Sequence, residues 1–400
     1  MTAPVIDPAR EGRFILLLGA LAAFGPLATD LYLPALPTIV NGLASTAESV
    51  QLSITVFLAG FALGMLFYGP ISDRYGRRVV LLSGIALFTV ASLGCMLATG
   101  VEQLIGFRLV QALGGGAASV LARTVARDVY SPTQAIRKLS LMAMVTSIAP
   151  LVAPLIGSAI LAAFGWRATF AALLLWGVLS FVVVWRSLPE TLPPERRGAL
   201  PLTAAFTVYF RLLLDPVVVG LVLAGGMSFA AMFAYITASP FYFIELHHFS
   251  PTGYGLLFAA NAIGIFAANF TNSRLVRRKG AAAMAGIGSA CGFGGALLIW
   301  AGMASGDVLP LVIAGLFVVV AMTGLLGANC VGLLMARYPQ NAGAAAAMFG
   351  SSQFGFGMWA SATISYFHDP SGRAMAWVIL AVSGISLLGW LGFSRYEKAR

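Results

Sequence analysis

The sequence predicts an all-α membrane protein with twelve transmembrane helices in two six-helix halves. Three observations support this fold class: twelve long apolar stretches, a polar segment that divides them six and six, and a basic loop that occurs in each half. Hydrophobic residues make up 59% of the chain and charged residues 10%, whereas about 25% of the residues in a soluble domain are charged. Because the spans use most of the 400 residues, no sizeable soluble domain is expected.

The apolar stretches predict the spans one by one. Two of them carry isolated charges: 14–36 contains Asp30, and 103–126 contains Arg108 and Arg123. A helix needs about 20 apolar residues to cross the hydrocarbon core, so each stretch predicts one span. An ionisable group inside a span is costly, which makes the three charged residues functional candidates. The ten stretches without any charge are 49–72, 79–101, 139–166, 168–185, 216–244, 246–273, 280–306, 308–336, 338–368 and 374–394.

The basic residues predict the orientation of the chain. Lys and Arg concentrate at the termini and in every second connection, whereas the alternate connections hold only Arg167 and Arg373 beside several acids. By the positive-inside rule, both termini are predicted to be cytoplasmic. The formal charge of +10 therefore reflects topology and does not indicate a nucleic-acid partner. No metal site is predicted, because the three cysteines are scattered and the His247-His248 pair has no third ligand nearby.

The polar segment and a repeated loop predict the domain organisation. We expect an N-terminal half at 1–187, a cytoplasmic linker at 188–215 and a C-terminal half at 216–400. The loop at 69–78 reads Gly-Pro-Ile-Ser-Asp-Arg-Tyr-Gly-Arg-Arg, and the segment at 272–280 is similar to a decayed copy of it. Duplicated six-span units are a known transporter plan, with the substrate site between the repeats near the bilayer midplane.

The loop at 69–78 combines residues that suit a gate. Its glycines permit a tight reversal and close helix approach, and Asp73 can accept hydrogen bonds from arginine. A basic loop that only sets topology is the simpler alternative, and Arg77 and Arg78 would serve it. For Arg127 and Asp128, at the end of the fourth span, solvated loop charges are the alternative to partnership with this loop. The predicted gating residues are Gly69, Asp73, Arg74, Gly76, Arg77, Arg78, Arg127 and Asp128.

These motifs resemble those of the major facilitator superfamily. The loop at 69–78 resembles its signature, and Arg108-x-x-Gln111-x-x-Gly114 is similar to the second signature of its drug:proton antiporters. The segment 149–157 resembles the antiporter motif, with an alanine where glycine is usual before the second proline. The residues of that motif here are Pro150, Pro154 and Gly157.

Three further segments look like the bicyclomycin-resistance (Bcr/CflA) subfamily. They are 29–37, 126–130 and 189–197. The resemblance covers nearly the whole chain and implies the major facilitator fold in a bacterial inner membrane. It implies exchange of small-molecule drugs for protons, with no cofactor besides the proton gradient. We expect a monomer in the lipid bilayer, with no nucleic-acid partner.

Asp30 and Arg108 lie at similar predicted depth. At 1.5 Å per residue, they lie about 9 Å and 8 Å below the outer end of their spans. Pairing would offset part of the burial cost of each, so an ion pair is predicted. The resemblance implies that both act in proton exchange, and movement of Arg108 or binding of substrate would change the proton affinity of Asp30. A cap or kink residue near Pro34 and Pro37 is the alternative for Asp30.

One face of the fourth span is predicted to line the cavity. Arg108, Gln111, Gly115, Ser119 and Arg123 follow steps of three or four residues, which places them in one helical stripe. Arg123 would then enter the cavity about 22 Å deeper than Arg108. The alternative is a snorkelling side chain that reaches the cytoplasmic headgroups.

The second half contributes aromatic and amide side chains without ionisable groups in its spans. Apolar walls with a few polar groups suit amphipathic drugs, although Asn and Gln also hydrogen-bond between helices. The predicted substrate-binding residues are Asp30, Tyr32, Arg108, Gln111, Gly115, Ser119, Arg123, Met144, Ile148, Tyr235, Phe241, Tyr242, Phe258, Asn261, Gln353 and Phe354.

The resemblance predicts multidrug efflux by alternating access, with bicyclomycin-, amphenicol- or sulfonamide-like cargo. A proton-coupled exporter of a natural metabolite, such as an amino acid, is the first alternative. A membrane-embedded enzyme is the second, and it lacks a nucleophile-base or paired-acid arrangement at one depth. The glycines at 114–116 are not followed by Lys-Ser/Thr, so no nucleotide loop is indicated. Because Arg123 has no acid partner in the spans, neutral, zwitterionic or anionic cargo is expected over lipophilic cations.

Overall fold

The computed structural model describes residues 11–198, 202–367, 369 and 371–398, and these residues form helices with short connections. The predicted all-α class is confirmed, since the described residues contain no strand. The helices are α1 Glu11–Ala22, α2 Phe24–Asp30, α3 Leu36–Gly42, α4 Ala47–Tyr75, α5 Arg77–Leu97, α6 Val101–Val129, α7 Pro132–Phe164, α8 Arg167–Ser187, α9 Leu202–Leu213, α10 Pro216–Pro240, α11 Pro251–Lys279, α12 Ala281–Ala304, α13 Leu309–Arg337, α14 Ala342–Phe367 and α15 Arg373–Lys398.

The structure accounts for eleven of the twelve predicted spans by helix length and composition. In the described part of the chain, 10 helices are long and apolar enough to cross a membrane, and the bent pair at 11–42 makes 11. The twelfth predicted span corresponds to α14, which is 26 residues long. It contains Gln353 and several glycines and serines, and it is not among the helices that are apolar enough to count as a span.

The first predicted span is broken into two helices. Its two parts meet at an angle of 48° beside Ala23. Pro26 has no N–H with which to bond the carbonyl of Ala22, so the helical ladder is interrupted there. The hydroxyl of Ser119 on α6 donates to that carbonyl over 3.4 Å. A polar group from a neighbouring helix thus occupies the acceptor that the proline leaves open.

The chain divides into two compact units. Unit 1 comprises 1–45 and 59–204, and unit 2 comprises 46–58 and 205–400. Helix α4 therefore begins in unit 2 and continues in unit 1. The change at 204/205 falls inside the predicted linker at 188–215, which also contains α9.

Hydrogen bonds assign the start of α4 to unit 2. Gln51 donates to the carbonyl oxygen of Thr237 over 3.2 Å. The hydroxyls of Thr55 and Ser361 lie 2.8 Å apart, and Thr237 donates to the same serine over 2.9 Å. The predicted halves did not include this exchange, because apolar stretches carry no information about which helices the buried hydroxyls will contact.

Small residues set the helix spacing inside each unit. In unit 1, a side chain at Gly114 of α6 would collide with the backbone of Phe88 on α5. In unit 2, a Cβ at Gly220 of α10 would lie 2.9 Å from the carbonyl oxygen of Gly389 on α15. Such backbone-to-backbone contact is how membrane helices pack tightly without a hydrophobic driving force between them.

Candidate functional site

Asp30 is a buried acid without a fixed counter-charge in unit 1. It ends α2 and is 5% exposed. Among the residues that the structure describes, its carboxyl accepts no hydrogen bond and forms no ion pair. The next residue, Leu31, lies against α7, where a side chain at Gly157 would collide with the Leu31 carbonyl. The glycine of the antiporter motif therefore packs directly beside this acid.

The predicted ion pair between Asp30 and Arg108 is wrong. Arg108 is fully buried, and its Nη1 donates to the Ala28 carbonyl over 2.9 Å and to Gln111 Oε1 over 2.6 Å. Its guanidinium lies 4.3 Å from the centroid of the Tyr32 ring. In an ideal helix with about 100° per residue, Asp30 would point about 160° away from Ala28, whose carbonyl Arg108 contacts.

The middle of the predicted stripe on α6 serves packing. Gln111 Nε2 donates to Ser92 Oγ of α5 over 2.8 Å, and Ser119 donates to Ala22 as described above. Gly115 is buried, and a Cβ there would contact two phenylalanine rings at 3.4 Å and 3.6 Å. Within unit 1, neighbouring helices thus pack against these residues, and their lining of a substrate cavity stays a prediction.

Arg123 faces a cavity of about 390 Å³ inside unit 1. The cavity lies near the end of α6 that is predicted to be cytoplasmic, and Arg127 lines it one helical turn further along. This placement favours the cavity interpretation of Arg123 over the snorkelling one. It corrects the prediction for Arg127, which was expected at the Asp73 loop. The other lining residues come from α1, α2 and α7 and are Ala22, Pro26, Leu139, Met142, Ala143, Thr146, Ser147 and Pro150.

Met144 and Ile148 are exposed on α7, with relative exposures of 58% and 54%. Neither contributes to the lining of the arginine cavity, although Ala143 and Ser147 beside them do. The two predicted wall residues therefore lie on an adjacent strip of the same helix. Of the antiporter-motif prolines, Pro150 lines the cavity, and both Pro150 and Pro154 lie inside the continuous helix α7.

The gating loop forms a charged cluster around Arg77. Its Nη1 lies 2.6 Å from Asp73 Oδ1 and donates to Ser72 Oγ over 2.6 Å, and its Nε lies 2.8 Å from Asp128 Oδ2. Gly76 has φ of +97°, a backbone conformation that favours glycine and reverses the chain before α5. Arg77 thus connects the loop to the end of α6 inside unit 1.

Glu190 completes this cluster and was not predicted. Its Oε1 accepts from the backbone N–H of Arg77 over 2.9 Å, and its Oε2 accepts from that of Arg78 over 3.3 Å. A carboxylate at this position caps the N-terminus of α5. Thr191 adds a hydrogen bond of 3.3 Å to Asp128 Oδ2. The sequence feature that could have indicated this role is an acid at the start of the basic linker.

The remaining loop members point elsewhere. Arg78 Nη2 donates to the carbonyl of Trp185 over 2.6 Å. Arg74 lies with its guanidinium 5.5 Å from the Tyr75 ring centroid. The Gly69 carbonyl accepts from the Ser72 hydroxyl over 2.8 Å, which closes the last turn of α4.

In unit 2, three of the predicted wall residues meet. Asn261 Nδ2 donates to the Tyr235 hydroxyl over 2.9 Å, and the Tyr235 ring stacks on Phe258 with centroids 5.8 Å apart. Phe354 belongs to a separate aromatic group, with its centroid 5.1 Å from that of Phe229. Gln353 lies near Gly327, where a Cβ would be 3.3 Å from its Nε2.

Phe241 and Tyr242 lie at a second, smaller cavity of about 160 Å³ in unit 2. They belong to a π-helical segment, Phe241–Leu246, that continues α10. Such segments often occur at functional sites. The cavity lining also includes Glu48, Gln51, Glu245 and Asp369.

The Tyr242 hydroxyl donates to Asp307, whose other carboxylate oxygen lies 3.0 Å from His247 Nε2. This cluster was not predicted, because its members come from segments that are far apart in the sequence. In the described part of the chain, no group of three His, Cys, Asp or Glu side chains is arranged to hold a metal ion.

Long apolar helices, with polar and charged side chains held between them, define a multi-pass membrane transporter. This chain belongs to the Major Facilitator Superfamily, whose family model matches residues 17–362.

Two relatives and one solved structure place the chain within that superfamily. The chain is 31% identical over 389 residues to the bicyclomycin resistance protein homolog of Haemophilus influenzae, which covers 97% of this chain and 98% of the relative. It is 32% identical over 323 residues to the chloramphenicol resistance protein of Pseudomonas aeruginosa, which covers 77% of this chain and 74% of the relative. The resemblance to the bicyclomycin-resistance subfamily is confirmed. A D-xylose-proton symporter structure matches with a TM-score of 0.73 at 18% identity, over 96% of each chain, which supports the fold.

Proposed function

We propose that this chain is a drug:proton antiporter of a bacterial inner membrane, and that Asp30 carries the proton. The observation that carries the proposal is a buried carboxyl with no counter-charge among the described residues, placed beside the antiporter-motif glycine. The protonation of such a carboxyl depends strongly on its surroundings. Substrate or solvent that reaches Asp30 can therefore exchange with its proton.

The contact between Gly157 and Leu31 offers a route for coupling. Because backbone meets backbone there, a shift of α7 must displace the segment that ends in Asp30. Packed elements of this kind move between discrete arrangements and do not deform gradually. Movement of α7 would then change the surroundings of the acid and hence its proton affinity.

Arg108 has a positioning role in this proposal. Its hydrogen bond to the Ala28 carbonyl ties the broken first span to α6 two residues from Asp30, and its bond to Gln111 fixes the guanidinium on α6. Arg108 forms no direct ion pair with the Asp30 carboxyl among the described residues. The Arg77 cluster, which ties the loop to the end of α6 and to the linker, would act as the gate at the cytoplasmic end.

The proposed cargo is a neutral, drug-sized amphiphile. The two relatives are named for resistance to bicyclomycin and to chloramphenicol. In unit 2, the Tyr235, Phe258 and Asn261 group presents two aromatic rings and one amide, a combination that suits such compounds. Positive charge at Arg123 disfavours lipophilic cations.

In the proposed cycle, drug enters from the cytoplasm and a proton leaves Asp30. The transporter then opens to the outside, where protonation of Asp30 accompanies drug release. Binding of drug and proton are mutually exclusive, so each lowers the affinity for the other. The proton gradient supplies the energy, no cofactor takes part, and one chain completes the cycle.

A drug-susceptibility panel in a host without its own major pumps tests this proposal. Expression should raise resistance to bicyclomycin, chloramphenicol or a sulfonamide, and drug addition to inverted vesicles should release protons only when the transporter is present. Drug efflux without proton movement would contradict antiport. If amino acids block drug uptake into the vesicles and expression gives cells no drug resistance, metabolite export is indicated instead.

A further inference from the structure

We propose that the cavity lined by Arg123 and Arg127 binds an anionic group, and that amphiphilic carboxylates belong to the cargo. The cargo assignment rests on the proposed export function, whereas the binding site stands without it. Arg123 and Arg127 are four residues apart on α6, so their side chains project from one helix face into the same cavity.

Neither arginine is held in an ion pair by the described residues. Within the described part of unit 1, neither forms an ion pair or a side-chain hydrogen bond, and no acid lines the cavity. Asp128, the acid next to Arg127 in the chain, is held by Arg77 at 2.8 Å. Glu11 at the start of α1 lies 2.8 Å from Lys138 Nζ on α7. The nearby acids are thus committed to other cations, and the cavity keeps a positive field.

The hydroxyls of the cavity do not replace the arginines as donors. Thr146 donates to the carbonyl of Met142 over 2.9 Å, and Ser147 donates to that of Met144 over 2.8 Å. Guanidinium groups therefore supply the donors that remain for a ligand, and their planar fork matches a carboxylate in two-point geometry.

The rest of the lining suits the apolar part of such a ligand. Pro26, Leu139, Met142 and Pro150 provide apolar surface next to the two charges. The volume of about 390 Å³ lies in the range of small-molecule sites. An anionic lipid headgroup has the same charge chemistry as a carboxylate cargo, so an experiment must separate the two sources.

The test uses the purified full chain in phosphatidylcholine nanodiscs with two fluorescent probes. Dansyl-phenylalanine and dansyl-phenylalaninamide differ only in the carboxylate, so the difference in their Kd values reports recognition of the charge. We expect the carboxylate to bind about tenfold tighter or more, as a hydrogen-bonded charge predicts. Arg123→Gln and Arg127→Gln should each reduce that preference, whereas Arg123→Lys should keep part of it.

Arg186→Gln is the matched control, because Arg186 is an exposed arginine of unit 1 outside the cavity. Each variant is first compared with the wild type by thermal unfolding, so a folding defect is separated from loss of binding. Equal affinities of the wild type for both probes would overturn the proposal. An equal loss of preference in Arg186→Gln would also overturn it, since net charge would then explain the effect.

Two further measurements separate cargo from lipid. Phosphatidylglycerol added to the nanodiscs should leave the carboxylate preference intact, and its loss would assign the cavity to lipid headgroups. Proton-driven uptake of dansyl-phenylalanine into inverted vesicles should be slower with Arg123→Gln, and binding without any uptake would overturn the cargo assignment. Chloramphenicol transport serves as the reference. If chloramphenicol moved without protons, antiport would be refuted, whereas the anion site would be unaffected.

Discussion

Gly157 packs against the carbonyl oxygen of Leu31 so closely that a Cβ at this glycine has no room. The contact joins α7, which carries the antiporter motif, to the residue that directly follows Asp30. A motif recognisable in the sequence therefore has a specific physical use: it permits the backbone of one helix to touch the backbone beside a buried acid.

Gly157→Ala should reduce transport strongly and lower stability. The added methyl must push α7 away from Leu31, and overpacking of this kind costs about 1–3 kcal/mol. Thermal unfolding in detergent and drug resistance in cells measure the two effects. Gly106→Ala on α6 is the control, because that glycine has nothing within 4 Å of the new methyl. Wild-type transport by Gly157→Ala would mean that the close contact has no role in coupling.

Asp30→Asn should abolish proton-coupled efflux and leave the fold intact. The amide has the shape of the carboxyl, and no hydrogen bond or ion pair to a described residue is lost. Proton release after drug addition to the purified protein should disappear. The control variant Glu102→Gln, which removes an exposed acid at the start of α6, should still release protons. An unchanged proton signal in Asp30→Asn would exclude Asp30 as the carrier.

Arg77→Lys should impair transport while drug binding survives. One ammonium cannot reproduce the guanidinium geometry that reaches Asp73, Ser72 and Asp128 together. Since Asp73 is exposed, its ion pair with Arg77 contributes little stability. Most of the stability lost in Arg77→Lys should come from the contact with Asp128. Asp73→Asn should therefore be milder in unfolding experiments.

Vesicle transport and equilibrium drug binding, measured on the same preparations of the Arg77 and Asp73 variants, separate cycling from recognition. Arg395→Lys, at an exposed position on α15, is the control for an arginine-to-lysine change outside the cluster. Loss of binding together with normal cycling would show that the cluster is not a gate.

Asp215 predicts a pH-dependent contribution to the stability of unit 2. Burial raises its pKa, but hydrogen bonds from Tyr338, the Val217 amide and Arg337 outweigh burial and hold the pKa below its ordinary value. Because the pKa is lower in the folded protein, the ionised carboxylate stabilises the fold, and this stabilisation is complete above the unfolded pKa of about 4. That stabilisation is lost as the pH falls through the folded pKa.

Asp215→Asn should therefore be less stable than the wild type at neutral pH, by about 1 kcal/mol. The gap should close in acid, when the wild-type carboxyl also becomes protonated. Unfolding midpoints of both proteins across an acid pH series measure this, with Glu397→Gln as an exposed-acid control. A gap that stays constant down to the lowest pH would show that the ion pair and hydrogen bonds of Asp215 do not stabilise the fold.

The spans and the loop motif were predictable because each depends on local information. About 20 apolar residues specify a span wherever it lies in the bundle, and the Gly76 turn follows from the backbone freedom of glycine. The predicted depth of Asp30 and Arg108 also used only local information, the rise per residue. Whether their side chains pair could not be predicted in this way, because pairing depends on how the broken helix packs against α6.

The partners of the charged residues required the tertiary structure. Glu190 reaches Arg77 across more than a hundred positions of sequence, and no helical spacing relates them. Likewise, Gln111 and Ser119 share the predicted face of α6, but the helices that cover this face decide that they form packing contacts. A helical stripe shows which residues point together and not what they point at.

Arg123→Ala should widen the cargo range towards lipophilic cations. The exposed guanidinium lines the cavity near the predicted cytoplasmic end of α6, where a cation would meet like charge. Cells that express the wild type should resist neutral drugs such as chloramphenicol and gain little protection against ethidium or tetraphenylphosphonium. The variant should raise resistance to the two cations severalfold and leave resistance to chloramphenicol within about twofold, because a neutral drug gains nothing from the loss of charge. Arg186→Ala controls for the net charge of the protein. Strong cation resistance in the wild type, or no change in Arg123→Ala at equal expression, would show that Arg123 does not set the charge preference of transport.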